Sequence, residues 1–212
     1  MIEKAIVEIQ YLPCIQYISK WYLYKEVRLE AHENYSKGSF RNRSMIGTSM
    51  GPRRLSIPLL KGKNSGTSIK DIKIANDNDW QTQHWRSIKT AYNSAPYFEF
   101  YQDDLIPFYK KPYEFLWDFN LELMEKIFVL LGNPQTFQTT TDFEKEPSSD
   151  YADLRNQISP KVKMQDPTFN LTAYGQVFEA NQGFMENLSV IDLIFCLGPA
   201  SSLTLSRSIV TP

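Results

Sequence analysis

Asp79-Trp80-Gln81-Thr82-Gln83-His84-Trp85-Arg86-Ser87-Ile88-Lys89-Thr90-Ala91-Tyr92 is the stretch where the hydrophobic period of this 212-residue chain changes. Trp80, His84, Ile88 and Tyr92 recur at a four-residue step, which puts all four on one face of a helix. Upstream of Asp79 the pattern is short and alternating. Ala5 to Ile9 is an apolar run of strand length, Pro13 opens a helix carrying Ile15, Ile18 and Tyr22 on one face, and Val27 and Leu29 alternate as a second strand. Leu55, Ile57 and Leu59, then Ile72 and Ile74, read as a hairpin with a long Gly/Lys/Ser loop, and Pro58 marks an edge or bulge.

Downstream the pattern is helical. Pro112 starts the longest helix, with Phe115, Leu116, Phe119, Leu123, Ile127 and Leu130 facing inward and Gly132 closing it. Residues 133–168 are polar, and at that length they read as a functional surface loop or a partly mobile segment. Ser189 and Asp192 form a capping box for a helix over Val190 to Leu197, which Gly198-Pro199 ends. The expected fold class is α+β: a small mixed or antiparallel sheet from the N-terminal third packed with a mostly helical remainder, in one domain over residues 1–212.

Composition narrows the function classes. The chain has 23 Lys plus Arg against 24 Asp plus Glu and is 42% hydrophobic, which excludes a disordered or collagen-like protein. The longest clean apolar run, Ile127 to Leu131, is too short for a membrane span. Cys14 and Cys196 are the only cysteines, and no leader pattern opens the chain, so a cytoplasmic setting is expected. The charge is unevenly placed. Ser36 to Lys70 holds Lys37, Arg41, Arg43, Arg53, Arg54, Lys61, Lys63 and Lys70 with no acid, leaving the remainder strongly negative. Such a window suits a phosphate or carboxylate ligand, or is simply a solvated basic hairpin. An acidic remainder argues against a nucleic-acid groove.

Most catalytic signatures fail on context. Gly47-Thr48-Ser49-Met50-Gly51 has nucleophile-elbow spacing, but Pro52 and an alternating strand follow it where a helix is needed, so it reads as a hairpin tip. Cys14 at a helix start is either an activated thiol or a buried apolar side chain. Two histidines and two distant cysteines furnish no metal site, and neither GxGxxG nor GxxxxGK[ST] occurs, so no metal or cofactor is expected. His84 is either a hydrogen-bonded core residue or a general base at the rim of a cleft.

Tyr11-Leu12-Pro13, Glu33 to Lys37 running into Phe40-Arg41-Asn42-Arg43, and His84-Trp85-Arg86 with Pro96-Tyr97-Phe98 resemble the WbqC-like protein family. So do Leu154-Arg155, Pro160-Lys161, Tyr174 to Phe178 and Asn187 to Pro199, in the family's order, and the likeness is greatest to members from Bacteroides-like bacteria. The chain departs from the family at Glu8-Ile9, where Gln-Pro is common, at Cys14, and at Cys196-Leu197. The resemblance implies a role in O-antigen or other surface-polysaccharide biosynthesis, with transfer of glycine or another acyl group onto a sugar as the reaction proposed for the family.

Two functions of different class follow. In an aminoacyl or acyl transferase acting on a nucleotide-linked amino sugar, His84 would be the base and Asn42 an oxyanion donor. Lys37, Arg41, Arg43, Arg155 and Lys161 would grip phosphate, and Glu33, Tyr35, Trp85 and Gln176 would contact the sugar. The donor would be a phosphate-bearing small molecule or an acyl-carrier protein. In the alternative, a non-catalytic module uses the same cations and aromatics to bind a phosphorylated glycan intermediate or a partner biosynthetic enzyme. The enzyme requires Asn42, Arg43, His84 and Gln176 to converge on one cleft, whereas the module leaves them scattered with His84 sealed in the core.

Overall fold

The computed structural model describes residues 3–60, 64, 66–160 and 166–210. Strand β1 (Lys4–Val7) leads through helix α1 (Ile15–Leu23) to β2 (Glu26–Leu29), which lies beside β1 in parallel. A second sheet is the antiparallel hairpin of β3 (Arg43–Thr48) and β4 (Gly51–Ser56). Its tip is Ser49-Met50, with Gly51 at φ +92°, so the hairpin-tip reading of Gly47 to Gly51 holds. The expected partner of the Leu55 to Leu59 strand is different. β4 pairs with its immediate neighbour β3, and the Ile72-Ile74 stretch makes only a bridge with Leu59. A two-residue turn closes a far shorter loop than one spanning residues 60–71.

Helix α2 (Trp80–Tyr92) buries Trp80, His84, Ile88, Ala91 and Tyr92, the face set by the four-residue step. Helix α3 (Phe98–Leu105) follows, and α4 (Leu116–Leu130) begins four residues after Pro112 and is closed by Gly132 at φ +68°. Phe119 on α4 is the centre of an aromatic core, with ring centroids 5.1 Å from Tyr113, 5.5 Å from Trp80 and 5.8 Å from Tyr11.

Residues 133–168 do more than connect. They supply β5 (Gln138–Thr139), parallel to β2, and β6 (Tyr151–Asp153), parallel to β1, giving the order β5-β2-β1-β6. The fold is α+β, and its sheets are segregated: the larger sheet is wholly parallel, with both edge strands from beyond the N-terminal third, and the antiparallel ladder is the hairpin, other antiparallel contacts being isolated bridges.

The C-terminal part contains α5 (Glu179–Gln182), α6 (Val190–Leu197) and α7 (Ser201–Arg207). Val190–Arg207 is long and apolar enough to cross a membrane, but it is broken by Gly198-Pro199 and 56% of it is buried inside the fold. Only half of the expected capping box is present. Ser189 Oγ accepts from Ile191 N, while Ser189 N donates to Met45 O on β3 and the Asp192 carboxylate turns inward. Gly47 is needed where β3 meets this region, because a Cβ there would sit 2.9 Å from Met185 Cε and 3.0 Å from Leu188 Cδ1. Gly47→Ala is expected to lower stability by about 1–3 kcal/mol, read as a fall in the urea midpoint at unchanged m-value.

Candidate functional site

The predicted site residues fall into separate centres. His84 is 7% exposed on the inner face of α2. Its Nδ1 lies 2.9 Å from Tyr11 Oη, which in turn is 3.0 Å from Tyr109 Oη. Burial, with the Arg53 charge adding to it, pushes its pKa down to about 4. The ring is a neutral core group, 7% exposed and bonded through Nδ1 to the buried Tyr11 hydroxyl, which does not fit a general base at a cleft rim. Asn42 is corrected in the same way: it accepts from Tyr35 Oη at 2.9 Å and donates to Ile57 O at 2.9 Å, so its amide pins the start of the hairpin and the Tyr35 hydroxyl with it. Trp85 packs between Phe98 and Tyr109. Cys14 is a buried thiol pushed up to about 12, mainly by burial, and is no activated nucleophile.

The carboxyl ends of the parallel strands gather a second group. Arg41, 0% exposed, makes a bidentate pair with Glu33, Nε to Oε1 at 2.6 Å and Nη2 to Oε2 at 2.5 Å. Burial, with help from the Glu8 and Glu30 carboxylates, pushes Glu33 upward against the pull of Arg41. Arg155 is clamped between Glu30 and Asp153 at 2.8 and 2.7 Å. These two guanidiniums are therefore neutralised from within and do not grip an external phosphate. Arg43 is half-buried on β3, Lys37 is exposed, and Lys161 lies outside the described residues. The structure thus unites Glu33, Arg41 and Arg155 and leaves His84 and Gln176 elsewhere.

Gln176 belongs to a third centre. Asp192, 1% exposed, accepts from Tyr174 Oη at 2.6 Å, Tyr92 Oη at 2.9 Å and Gln176 Nε2 at 3.0 Å. Burial raises its pKa against these three donors. Tyr92 Oη also accepts from Gly47 N at 3.1 Å, so one network joins α2, β3 and the C-terminal segment.

Above that network lies an open cleft of about 390 Å³ between the hairpin and α2. Thr48, Ser49, Met50 and Arg53 line it from the hairpin, Arg86, Ser87, Thr90 and Ala91 from α2, and Phe178 from the C-terminal segment. Arg86 and Thr90 are one helical turn apart, on a different edge from His84. Both arginines are exposed, and neither takes part in an ion pair among the described residues. The acid-free basic window meets the helix that carries His84, and the cations lining the cleft between them are Arg53 and Arg86. Arg53 was visible in the acid-free window and Arg86 in the sequence beside His84. Their freedom from partners was not.

Fold and site together define an α+β protein with a cation-flanked, hydroxyl-lined cleft and a separate buried ionic cluster. The chain belongs to the WbqC-like protein family, whose profile matches residues 9–166. It is 24% identical to the uncharacterized protein Rv1507c of Mycobacterium tuberculosis, an alignment covering 92% of this chain and 93% of that relative. No solved structure matches it.

Two consequences can be measured. His84 is neutral in the fold, and its folded pKa of about 4 lies below the ordinary 6.5. The unfolded chain therefore binds the extra proton first as pH falls. Stability from this group is complete above about pH 6.5 and is lost through the window down to about 4, by up to about 3 kcal/mol. Urea unfolding at pH 7 and pH 5 is expected to show this loss in the native chain and a smaller one in His84→Phe. Arg41→Leu, which strands Glu33 in the interior, is expected to cost about 3–5 kcal/mol, and adding Glu33→Leu to recover much of it.

Proposed function

We propose that the protein works in surface-polysaccharide biosynthesis, in the cytoplasm, by holding a phosphate-bearing sugar intermediate in the cleft between the hairpin and α2. The observation that carries this reading is the pair of unpaired guanidiniums, Arg53 and Arg86, facing one hydroxyl-lined space. Guanidinium forks and hydroxyl donors are the groups that recognise phosphate oxygens; Thr48 and Ser87 already donate to Gly51 O and Gln83 O, which leaves Ser49 and Thr90 as the hydroxyls for this role. The ring of Phe178 on the same wall offers an apolar face to a sugar or base. Family membership supports the carbohydrate setting.

Binding is favoured over aminoacyl or acyl transfer for a specific reason. Amide formation needs a base beside the attacking amine and donors for the oxyanion. The two residues suited to those roles, His84 and Asn42, are committed to buried hydrogen bonds. Of the two classes of function, the non-catalytic module fits the dispersed arrangement.

A nucleoside-diphosphate sugar is expected to bind more tightly than the corresponding neutral sugar, with affinity falling as salt rises. Arg53→Ala and Arg86→Ala should each weaken it by roughly 10- to 100-fold, the worth of a charge-assisted hydrogen bond. Titration calorimetry on folded variants measures this. Equal affinity for neutral and phosphorylated sugars, or a double variant that binds normally, refutes the reading.

A further inference from the structure

We infer that the cleft between the hairpin and α2 reads the nucleoside end of its ligand, a nucleoside diphosphate whose base lies between Met50 and Phe178, and leaves the attached sugar outside. The inference rests on the phosphate reading of the same cleft and goes a step beyond it. What the walls can hydrogen-bond decides which part of the ligand they hold. Arg53 and Arg86 carry donors only, and with Thr48 and Ser87 already used, Ser49 and Thr90 supply the remaining hydroxyls. Among the described residues, no Asp, Glu, Asn or Gln side chain lines the cleft. Phosphate oxygens only accept, so a donor-rich lining suits them. A sugar ring presents several hydroxyls that donate as well as accept, and two side-chain hydroxyls leave most of those donors unmet wherever the ring loses its water.

The apolar groups of the cleft are held at its mouth. Met50 is 92% exposed at the hairpin tip and lines the cleft. Its turn is tied internally: Thr48 Oγ1 donates to Gly51 O at 2.7 Å and accepts from Met50 N at 3.2 Å. A second tie brings Phe178 to the same place. Gln182 Nε2 donates to Ser49 O at 2.7 Å, and Gln182 stands one helical turn from Phe178, its amide bonding Phe178 O at 2.9 Å. Helix α5 is thereby fastened to the residue that precedes Met50, with Phe178 on the same wall of the cleft.

A polarizable thioether and an aromatic face make a slot for a flat ring. Every nucleobase has a π-face, and stacking tolerates exchange of one base for another. A lipid-linked phosphate fits less well. Its long chain needs a continuous apolar wall, and beside Met50 and Phe178 the lining offers only Ala91. The cleft therefore takes the part of an activated sugar that is common to many such compounds, and the sugar itself stays in solvent.

The test is titration calorimetry of the full chain with inorganic diphosphate, uridine diphosphate, guanosine diphosphate and uridine diphosphate glucose. Both nucleoside diphosphates should bind roughly tenfold or more tighter than inorganic diphosphate, and the glucose should change affinity by less than about threefold. Met50→Ser, at an exposed position, should weaken uridine diphosphate about two- to tenfold and Phe178→Leu about 10- to 100-fold, each leaving inorganic diphosphate unchanged. Arg53→Ala/Arg86→Ala should lose every one of these ligands. Inorganic diphosphate binding as tightly as the nucleoside diphosphates overturns the inference and leaves the phosphate reading standing. So does a gain of about tenfold from the glucose, or nucleotide affinity that Met50→Ser does not move. Failure of the native chain to bind any of the four removes both readings. The ligand series on the native chain and on Met50→Ser decides the question even if Phe178→Leu does not fold.

Discussion

The carboxylate of Asp192 is the contact on which the arrangement of the other parts turns. It is buried, and it receives hydroxyls from Tyr92 on α2 and Tyr174 and an amide from Gln176. Through Tyr92 Oη it also reaches the Gly47 amide on β3. An ionised or partly ionised carboxylate in the interior is tolerated only when donors surround it, so the three elements must come together for any one of them to be satisfied. That requirement holds the hairpin against α2 through Gly47 and Tyr92. The cleft is the space left beside this junction, one residue further along β3 at Thr48 and one residue back along α2 at Ala91.

A different logic governs the sheet end. The Glu33–Arg41 and Glu30–Arg155 pairs are nearly or wholly removed from water, where mutual attraction does little more than offset desolvation. Their value to the fold is selectivity of pairing. β6 contributes three residues and β5 two, too few for ladder hydrogen bonds alone to choose a register. Arg155 reaching Glu30, and Thr140 Oγ1 donating to Glu30 Oε1 at 2.7 Å, tie both edge strands to the residue that follows β2. The edges of the sheet are thus positioned by side chains at its end.

This division explains what the sequence could disclose. Local periodicity announced β1, α1, β2, α2, α4 and α6, because each carries its own apolar face, and Gly47 to Gly51 announced the hairpin tip through glycine chemistry. Nothing local announces a three-residue strand such as Tyr151–Asp153, whose pairing with Lys4 to Ile6 spans about two thirds of the chain. The site followed the same rule. Glu33, Arg41, Arg155 and Gln176 were singled out as ligand contacts, and each has a polar partner inside the fold; whether a cation is available depends on that partner. Glu33 lies eight residues before Arg41, and Glu30 lies 125 before Arg155. Asp192 was read as a cap because Ser189 precedes it by three, and only the packing of Tyr92 and Tyr174 against it reveals the larger role.

The fate of the charges is therefore the most informative feature of the molecule. Cations at the heart of the motif-rich segment are answered by carboxylates inside the fold, whereas those on the hairpin and the outer edge of α2 are not. A surface guanidinium needs no partner, since water solvates it, so one free arginine would mean little. Two of them lining one concavity with serine and threonine hydroxyls are different, because their mutual repulsion is relieved by any anion that enters. His84 marks the boundary between these regimes. It is close enough to Arg53 for that charge to disfavour its protonation, yet its ring is turned inward to Tyr11. The helix consequently offers a cationic edge to solvent and a neutral imidazole to the core, and the proposed phosphate recognition rests on the first of these faces.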